Sequence, residues 1–219
     1  TQIVIDSIGR EIEIPNPVTT SVVANAYNTE IINAINALDS VIGVDYNIYQ
    51  DKESWKNKFT EDMVIGKSQK ELNYEKIIEL NPQVLILTGN GSYEEAESQL
   101  APFGIKVIVC DAYYTDLFAE NCTLLGKIFG KEQEAKELSD YFMDKLGYIN
   151  TQLANVEKKT LYFEYRREGN TTIPGNFFFN MVEYSGANNI FKDSANVEID
   201  PEAVVAKNPE YIVKVSAPD

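Results

Sequence analysis

Aromatic, amide and basic side chains recur in this chain just after short apolar runs. Tyr27 and Asn28 follow Ser21–Ala24, and Tyr46 and Tyr49 follow Val41–Val44. Lys67 and Ser68 follow Met63–Gly66, and Asn90 follows Val84–Thr88. Further on, Arg166 and Arg167 follow Thr160–Tyr165, and Phe177 and Phe178 follow Gly175. Tyrosine and phenylalanine rings stack on flat ring systems, and a tyrosine keeps a polar edge for hydrogen bonding. Arginine and lysine pair with carboxylates and other anionic groups. The chemistry on offer is capture of a flat or anionic small molecule. Blander readings stand beside this one. Alternate members of the Phe177–Phe179 triplet suit a core, and Arg166-Arg167 suits a solvated turn.

Catalysis finds little support. The 219 residues include no histidine, which removes a histidine-built zinc site, a Ser-His-Asp triad and a Cys-His nucleophile pair. Neither Gly-x-Gly-x-x-Gly nor the phosphate-loop pattern occurs, and Gly89-Asn90-Gly91 is only a fragment of a glycine-rich loop. No enzyme, resident cofactor or metal site is expected. A formal charge of −15 repels phosphate backbones and anionic lipid heads, so no nucleic-acid partner is expected. No apolar run approaches the ~20 residues of a membrane span. The chain opens on a strand pattern, Thr1–Ile5, so no targeting segment is expected within it. Cys110 ends an apolar run and Cys122 lies in a helical pattern. Buried free thiols are the expected state, with a single disulfide as the alternative.

The elements that must position these side chains follow an α/β grammar. Ile3–Pro15 alternates apolar and polar residues around Ser7–Arg10, a hairpin signature. Ser21–Ala24, Val41–Val44, Met63–Gly66, Val84–Thr88 and Lys106–Cys110 read as short, nearly all-apolar strands. Helices are expected over Thr29–Leu38, over Tyr74–Leu80 and from a Ser92 cap to Leu100. Such alternation predicts a mainly parallel sheet covered on both faces. In sheets of that kind ligands bind outside the carboxyl ends of the strands, where the residues above fall. Helices follow over residues 115–129 and 131–156. The second, at 26 residues, would run about 39 Å. The alternation then resumes with a strand at Thr160–Tyr165, helices at Asn176–Tyr184 and Pro201–Lys207, and a strand at Tyr211–Ser216.

An internal repeat bears on the architecture. Asn73–Ile86 and Asp200–Val213 align without a gap at an offset of 127 residues. Glu75 meets Glu202, Asn81-Pro82 meets Asn208-Pro209, and the apolar positions coincide. Shared βα grammar can produce such a match, but two lobes of similar fold explain it better. Both glutamates fall in a first helical turn, where the helix dipole favours acids. They also form one exposed acidic point per lobe, available to a partner.

Several segments, in order, resemble the iron-chelate, vitamin B12 and haem class of ABC-importer substrate-binding proteins. They are Val4–Pro15, Thr29–Val44, Tyr74–Ile86, Ser185–Asp193 and Glu202–Val213. The resemblance implies two Rossmann-like lobes with mainly parallel sheets, joined by one long rigid helix, with the ligand between them. It implies lobes at residues 1–130 and 157–219 and a linking helix at 131–156. The class usually continues beyond the equivalent of Tyr211–Ser216, so the second lobe is expected to be truncated. One surface glutamate per lobe is implied to dock on a permease dimer in the membrane, and those positions fall on Glu75 and Glu202. The implied protein is a monomer outside the cytoplasm, with or without a lipid anchor, that captures a metal chelate. Arg166 and Arg167 turn the choice toward a ferric siderophore, with a corrinoid or haem as alternatives. A sensor or surface-binding protein on the same fold is the remaining reading. Trp55, near the Tyr46–Tyr49 loop, is expected to report on binding.

Overall fold

A computed structural model describes residues 1–215. The chain divides into two compact units, Thr1–Tyr141 and Phe142–Asp219.

The first unit opens with an antiparallel hairpin of β1 (Gln2–Ile5) and β2 (Glu11–Ile14), in the register Gln2↔Ile14 to Ile5↔Glu11. Its turn is closed by Asp6, which is buried and accepts from the backbone N–H of Arg10 at 2.9 Å and from the Arg10 guanidinium at 2.8 and 2.9 Å. Burying that carboxylate is tolerable because its lone pairs are met by charge-assisted bonds.

Four parallel strands form the central sheet. They are β3 (Ser21–Val23), β4 (Val41–Val44), β7 (Val84–Leu87) and β8 (Lys106–Val109), in the order β4-β3-β7-β8. Side chains alternate faces along a strand. Val84 and Ile86 therefore enter one hydrophobic cluster, with Val23, Ile108 and Leu125. Leu85 and Leu87 enter another, with Val22, Ile77 and Val107. Both faces of the sheet are thus covered, as the continuous apolar strands predict. The covering helices are α1 (Ala26–Ala34), α2 (Tyr46–Gln50), α3 (Tyr74–Leu80), α4 (Tyr93–Leu100) and α5 (Phe118–Phe129).

Some expected boundaries move. The helix expected over Thr29–Leu38 starts earlier, because the Asn25 side chain caps it by accepting from the N–H groups of Tyr27 and Asn28. It stops at Ala34, and Asn36 turns into the left-handed region at φ 59°. Met63–Gly66 is not a strand. Only Val64 makes an isolated parallel bridge, to Val44, and the pairing falls later, where β5 (Gly66–Ser68) meets β6 (Glu71–Leu72). Residues 115–117 form a 3-10 turn ahead of α5.

Helix α6 spans Glu132–Leu153, 22 residues rather than the expected 26. Past Leu153 the backbone closes in short turns, with Ala154 N–H on Thr151 O and Val156 N–H on Leu153 O. The division between the two units falls inside this helix.

The second unit holds a three-stranded parallel sheet in the order β10-β9-β11. Its strands are β9 (Thr160–Tyr165), β10 (Asn188–Asn189) and β11 (Tyr211–Val215). Helices α7 (Phe177–Tyr184) and α8 (Pro201–Lys207) accompany it, and Tyr162, Phe191 and Val204 form its small core. Ser216, expected to end the last strand, lies outside the described residues. Cys110 and Cys122 are free and buried, as expected.

Candidate functional site

In the first unit the parallel sheet puts the carboxyl ends of β3, β4, β7 and β8 on one edge. The loops leaving β3, β7 and β8 meet there. Gly89 N–H donates to the Asp111 carboxylate at 2.7 Å. The Asn90 side-chain amide donates to the Tyr113 hydroxyl at 2.6 Å. The Tyr27 and Tyr113 ring centroids lie 6.1 Å apart, and Tyr113 packs on Tyr114 at 4.3 Å. Burial, a hydrogen bond with Tyr114 and the neighbouring Asp111 charge all push the Tyr113 hydroxyl well above the ordinary tyrosine range. It is a neutral platform and hydrogen-bonding group, not a phenolate.

Of the residues expected here, Tyr27 and Asn90 are exposed members of this cluster. Asn28 is fully buried, and both polar atoms of its side chain lack a partner. Three residues of the cluster, Asp111, Tyr113 and Tyr114, were not among those expected. The strand-end rule applied to β8 would have found them, but Asp111–Tyr114 carries neither a glycine nor a basic pair to draw notice.

The loop after β4 makes a second group. Asp45 caps α2 by accepting from Ile48 N–H at 3.1 Å. Burial raises its pKa to about 6, against the opposing pull of that bond. Tyr46 and Tyr49 pack 5.9 Å apart, and the Lys52 ammonium sits 3.3 Å from the Tyr49 ring centre. A shallow depression of about 420 Å³ joins Tyr46 to Lys67. Lys67 lies on β5 and pairs with Glu71 at 3.3 Å, an exposed bridge worth little by itself. Ser68 accepts from Lys70 N–H at 3.2 Å, inside its own turn. Trp55 is buried against Phe59 in the core, which is why it fills space there and is not part of the loop surface.

In the second unit, the segment after β9 carries the two arginines. Arg166 takes a left-handed conformation at φ 64°, and its guanidinium lies 4.9 Å from the Tyr165 ring centre. Arg167 is paired with Glu198. Beside them is a pocket of about 240 Å³, walled by Phe163, Tyr165, Phe177 and Phe178 and bordered by Thr171 and Thr172. Phe178 is its centre, 4.9 Å from Phe163, 5.0 Å from Tyr165 and 4.6 Å from Phe177. Core and pocket readings of the phenylalanines therefore meet in one side chain.

Glu75 and Glu202 are both exposed, in the first turns of α3 and α8. Among the described residues no group of three or more Cys, Asp or Glu is placed to hold a metal ion. No described helix is long and apolar enough to cross a membrane.

Parallel-sheet units with aromatic and amide groups gathered at their strand ends describe an α/β protein. A sequence model of the periplasmic binding protein family matches residues 22–217, and the chain belongs to that family. A vitamin B12-binding protein of Salmonella typhimurium is 23% identical over 145 residues, covering 65% of this chain and 54% of that protein. An uncharacterized ABC transporter substrate-binding lipoprotein of Bacillus subtilis, YvrC, is 28% identical over 195 residues, covering 85% and 60%. The chain thus spans little more than half the length of the curated relatives it matches. Among solved structures, the molybdate-bound periplasmic binding protein MolA of Haemophilus influenzae superposes with a TM-score of 0.77 at 19% identity, covering 98% of this chain and 74% of that one. At that identity the likeness speaks for the fold.

Proposed function

We propose that this chain is the capture subunit of an ABC importer, working outside the cytoplasm as a monomer and delivering a metal chelate to a membrane permease dimer. Within that class we infer a corrinoid ligand. The observation that carries the reading is the strand-end cluster of Tyr27, Asn90 and Tyr113, matched in kind by the aromatic pocket around Phe178. Flat aromatic walls with neutral hydrogen-bonding groups suit a bulky macrocycle bearing amide arms.

Charge bookkeeping moves the choice away from the siderophore that the sequence favours. Arg167 and Lys67 each lie beside an acidic side chain, Glu198 and Glu71, in exposed pairs that are weak but leave little net positive charge there for an anionic ligand, and the Tyr113 hydroxyl keeps its proton. The Salmonella relative named for vitamin B12 points the same way. A ferric siderophore is the second reading, favoured by Arg166, which is exposed and stacked on Tyr165. In either case Tyr46, Tyr49, Lys67 and Ser68 form an outer rim, and Glu75 and Glu202 are the docking points for the permease.

Native mass spectrometry against cyanocobalamin, cobinamide, haem and a panel of ferric siderophores tests the choice. A one-to-one complex with a corrinoid is expected, weakened about tenfold by Tyr27→Ala or Tyr113→Ala, the loss of roughly one stacking contact. Saturable binding of a siderophore alone would overturn the corrinoid assignment.

A further inference from the structure

Asn121 is 3% exposed in the first turn of α5, yet its amide is the most fully engaged in the first unit. Its Nδ2 donates to Asp111 O at 3.0 Å and to Leu117 O at 2.9 Å, and so bridges both ends of the segment that carries Tyr113 and Tyr114. Its Oδ1 accepts from the Ser7 hydroxyl at 2.9 Å and from the Cys110 thiol at 3.5 Å. All four hydrogen-bonding positions of the amide are therefore used.

Ser7 completes the bracket. Its hydroxyl accepts from Asp111 N–H at 3.0 Å, and its own N–H donates to Val109 O at 2.9 Å. Both backbone groups of Asp111 are thus held by Ser7 and Asn121. With its backbone fixed, the Asp111 carboxylate takes Gly89 N–H at 2.7 Å, and next to Gly89 the Asn90 amide reaches the Tyr113 hydroxyl. The path runs unbroken from the turn of the N-terminal hairpin to the aromatic cluster. At its buried centre the Asn121 amide has every bond made, and this favours one arrangement of the segment, because each alternative strands a buried group of that amide without a partner.

We propose that Ser7 and Asn121 are positioning residues which staple the β8–α5 loop to the hairpin, holding Tyr113 and the Gly89-Asn90 turn in their ligand-ready geometry before a ligand arrives. The proposal rests on the capture reading, since it assigns a purpose to the cluster named there. It adds residues that need not touch ligand at all. Preorganisation of this kind removes an ordering cost from binding, so its loss shows in affinity while the fold persists.

The test uses hydrogen exchange and binding on the same variants. Ser7→Ala removes one hydroxyl from a half-buried turn and leaves the Ser7 N–H bond to Val109 intact. It is expected to speed exchange of the Asp111 and Gly89 amides about tenfold or more, leave the β1–β2 amides unchanged, and weaken cyanocobalamin binding about tenfold. Ser7→Thr, which keeps the hydroxyl, should restore both, and Asn121→Ala should repeat the pattern more strongly if it folds. Faster exchange confined to the hairpin, or spread evenly over the unit with Gly89 no different from the rest, overturns the staple. If the parent chain binds no cyanocobalamin, the corrinoid reading fails, and exchange at Gly89 still decides the staple.

Discussion

Asn81 and Asn208 end two helices in the same left-handed conformation, with φ and ψ of 50° and 54° in the first and 43° and 61° in the second. Each backbone N–H donates to two carbonyls one turn back, those of Ile77 and Ile78 for Asn81 and of Val204 and Val205 for Asn208. Each is followed by a proline, and each helix begins with a side-chain cap, from Asn73 and from Asp200. The repeat visible in the sequence is thus a repeat in backbone geometry, one copy in each unit.

Alanine adopts this conformation at greater cost than asparagine, and glycine at none. Asn81→Ala and Asn208→Ala should each lower stability by about 1 kcal/mol, and the glycine variants should match or exceed the parent. Urea unfolding monitored by circular dichroism measures both. Equal midpoints for alanine and glycine at either site would mean that the left-handed closure is not what sets the helix end.

The same alignment places Glu75 and Glu202 in equivalent exposed first turns. If they are the two docking points, changing both to alanine should leave cyanocobalamin affinity unchanged and cut transporter-dependent uptake at least tenfold. Losing about 1.4 kcal/mol of contact gives that factor. Each single change should give an intermediate loss. Undiminished uptake by the double variant would remove the docking assignment.

The parallel sheet, the hairpin and the caps at Asn73 and Asp200 were legible in the sequence because each has a local cause, whereas Ser92, expected to cap α4, makes no capping bond and donates its hydroxyl to Lys70 O instead. Val84–Leu87 is apolar at every position, which only a strand covered on both faces requires. Tyr27 and Asn90 were legible because they follow such strands directly. Lys67 and Ser68 were harder. The Val64-Ile65 pair looks like strand, but Ile65 N–H bonds to Val44 O at 2.9 Å and the regular pairing passes to Gly66–Ser68, where the partner lies later in the chain. The fate of the arginine charges was not legible at all. Arg167 meets Glu198 from 31 residues away, and no local pattern announces that pair. The Ser7–Asn121 bond spans 114 residues and is hidden for the same reason.

Asp45 gives the first unit a pH dependence of unusual sign for a carboxylate. Its pKa stands at about 6 in the folded chain against an ordinary 3.8, because burial disfavours the charged form. The folded state therefore binds this proton more tightly than the unfolded state. The stabilisation is full below pH 3.8 and is lost as pH rises through about 6, a swing of about 3 kcal/mol at roughly 1.4 kcal/mol per unit. Carboxylates such as Glu210, held below its ordinary value by the Thr160 N–H and by Lys159, pull the other way as pH falls. The clean measurement is the difference between the parent and Asp45→Asn, which cannot titrate. Relative to the variant, the parent should lose stability between pH 4 and 6.5. Parallel stability curves would show that Asp45 titrates alike in both states.

Cys110 and Cys122 sit in the same hydrophobic cluster, both fully buried. Burial, followed by the nearby Asp111 charge, raises the Cys110 thiol well above its ordinary value, and burial alone carries Cys122 to about 12. The Cys110 thiol also donates to Asn121 Oδ1, where it helps saturate the amide that holds the tyrosine loop. Only a thiolate attacks a disulfide reagent, so neither residue should react in the folded chain at pH 8 except through opening of the core. Ellman's reagent should therefore find no thiol in native buffer over several minutes and two in 6 M urea. Ser7→Ala, by loosening the bracket around Asp111, should speed the slow native reaction at Cys110 more than at Cys122, and mass spectrometry of the labelled peptides distinguishes the two. Equal acceleration at both would place the loosened region in the core as a whole, away from the loop that Asn121 secures.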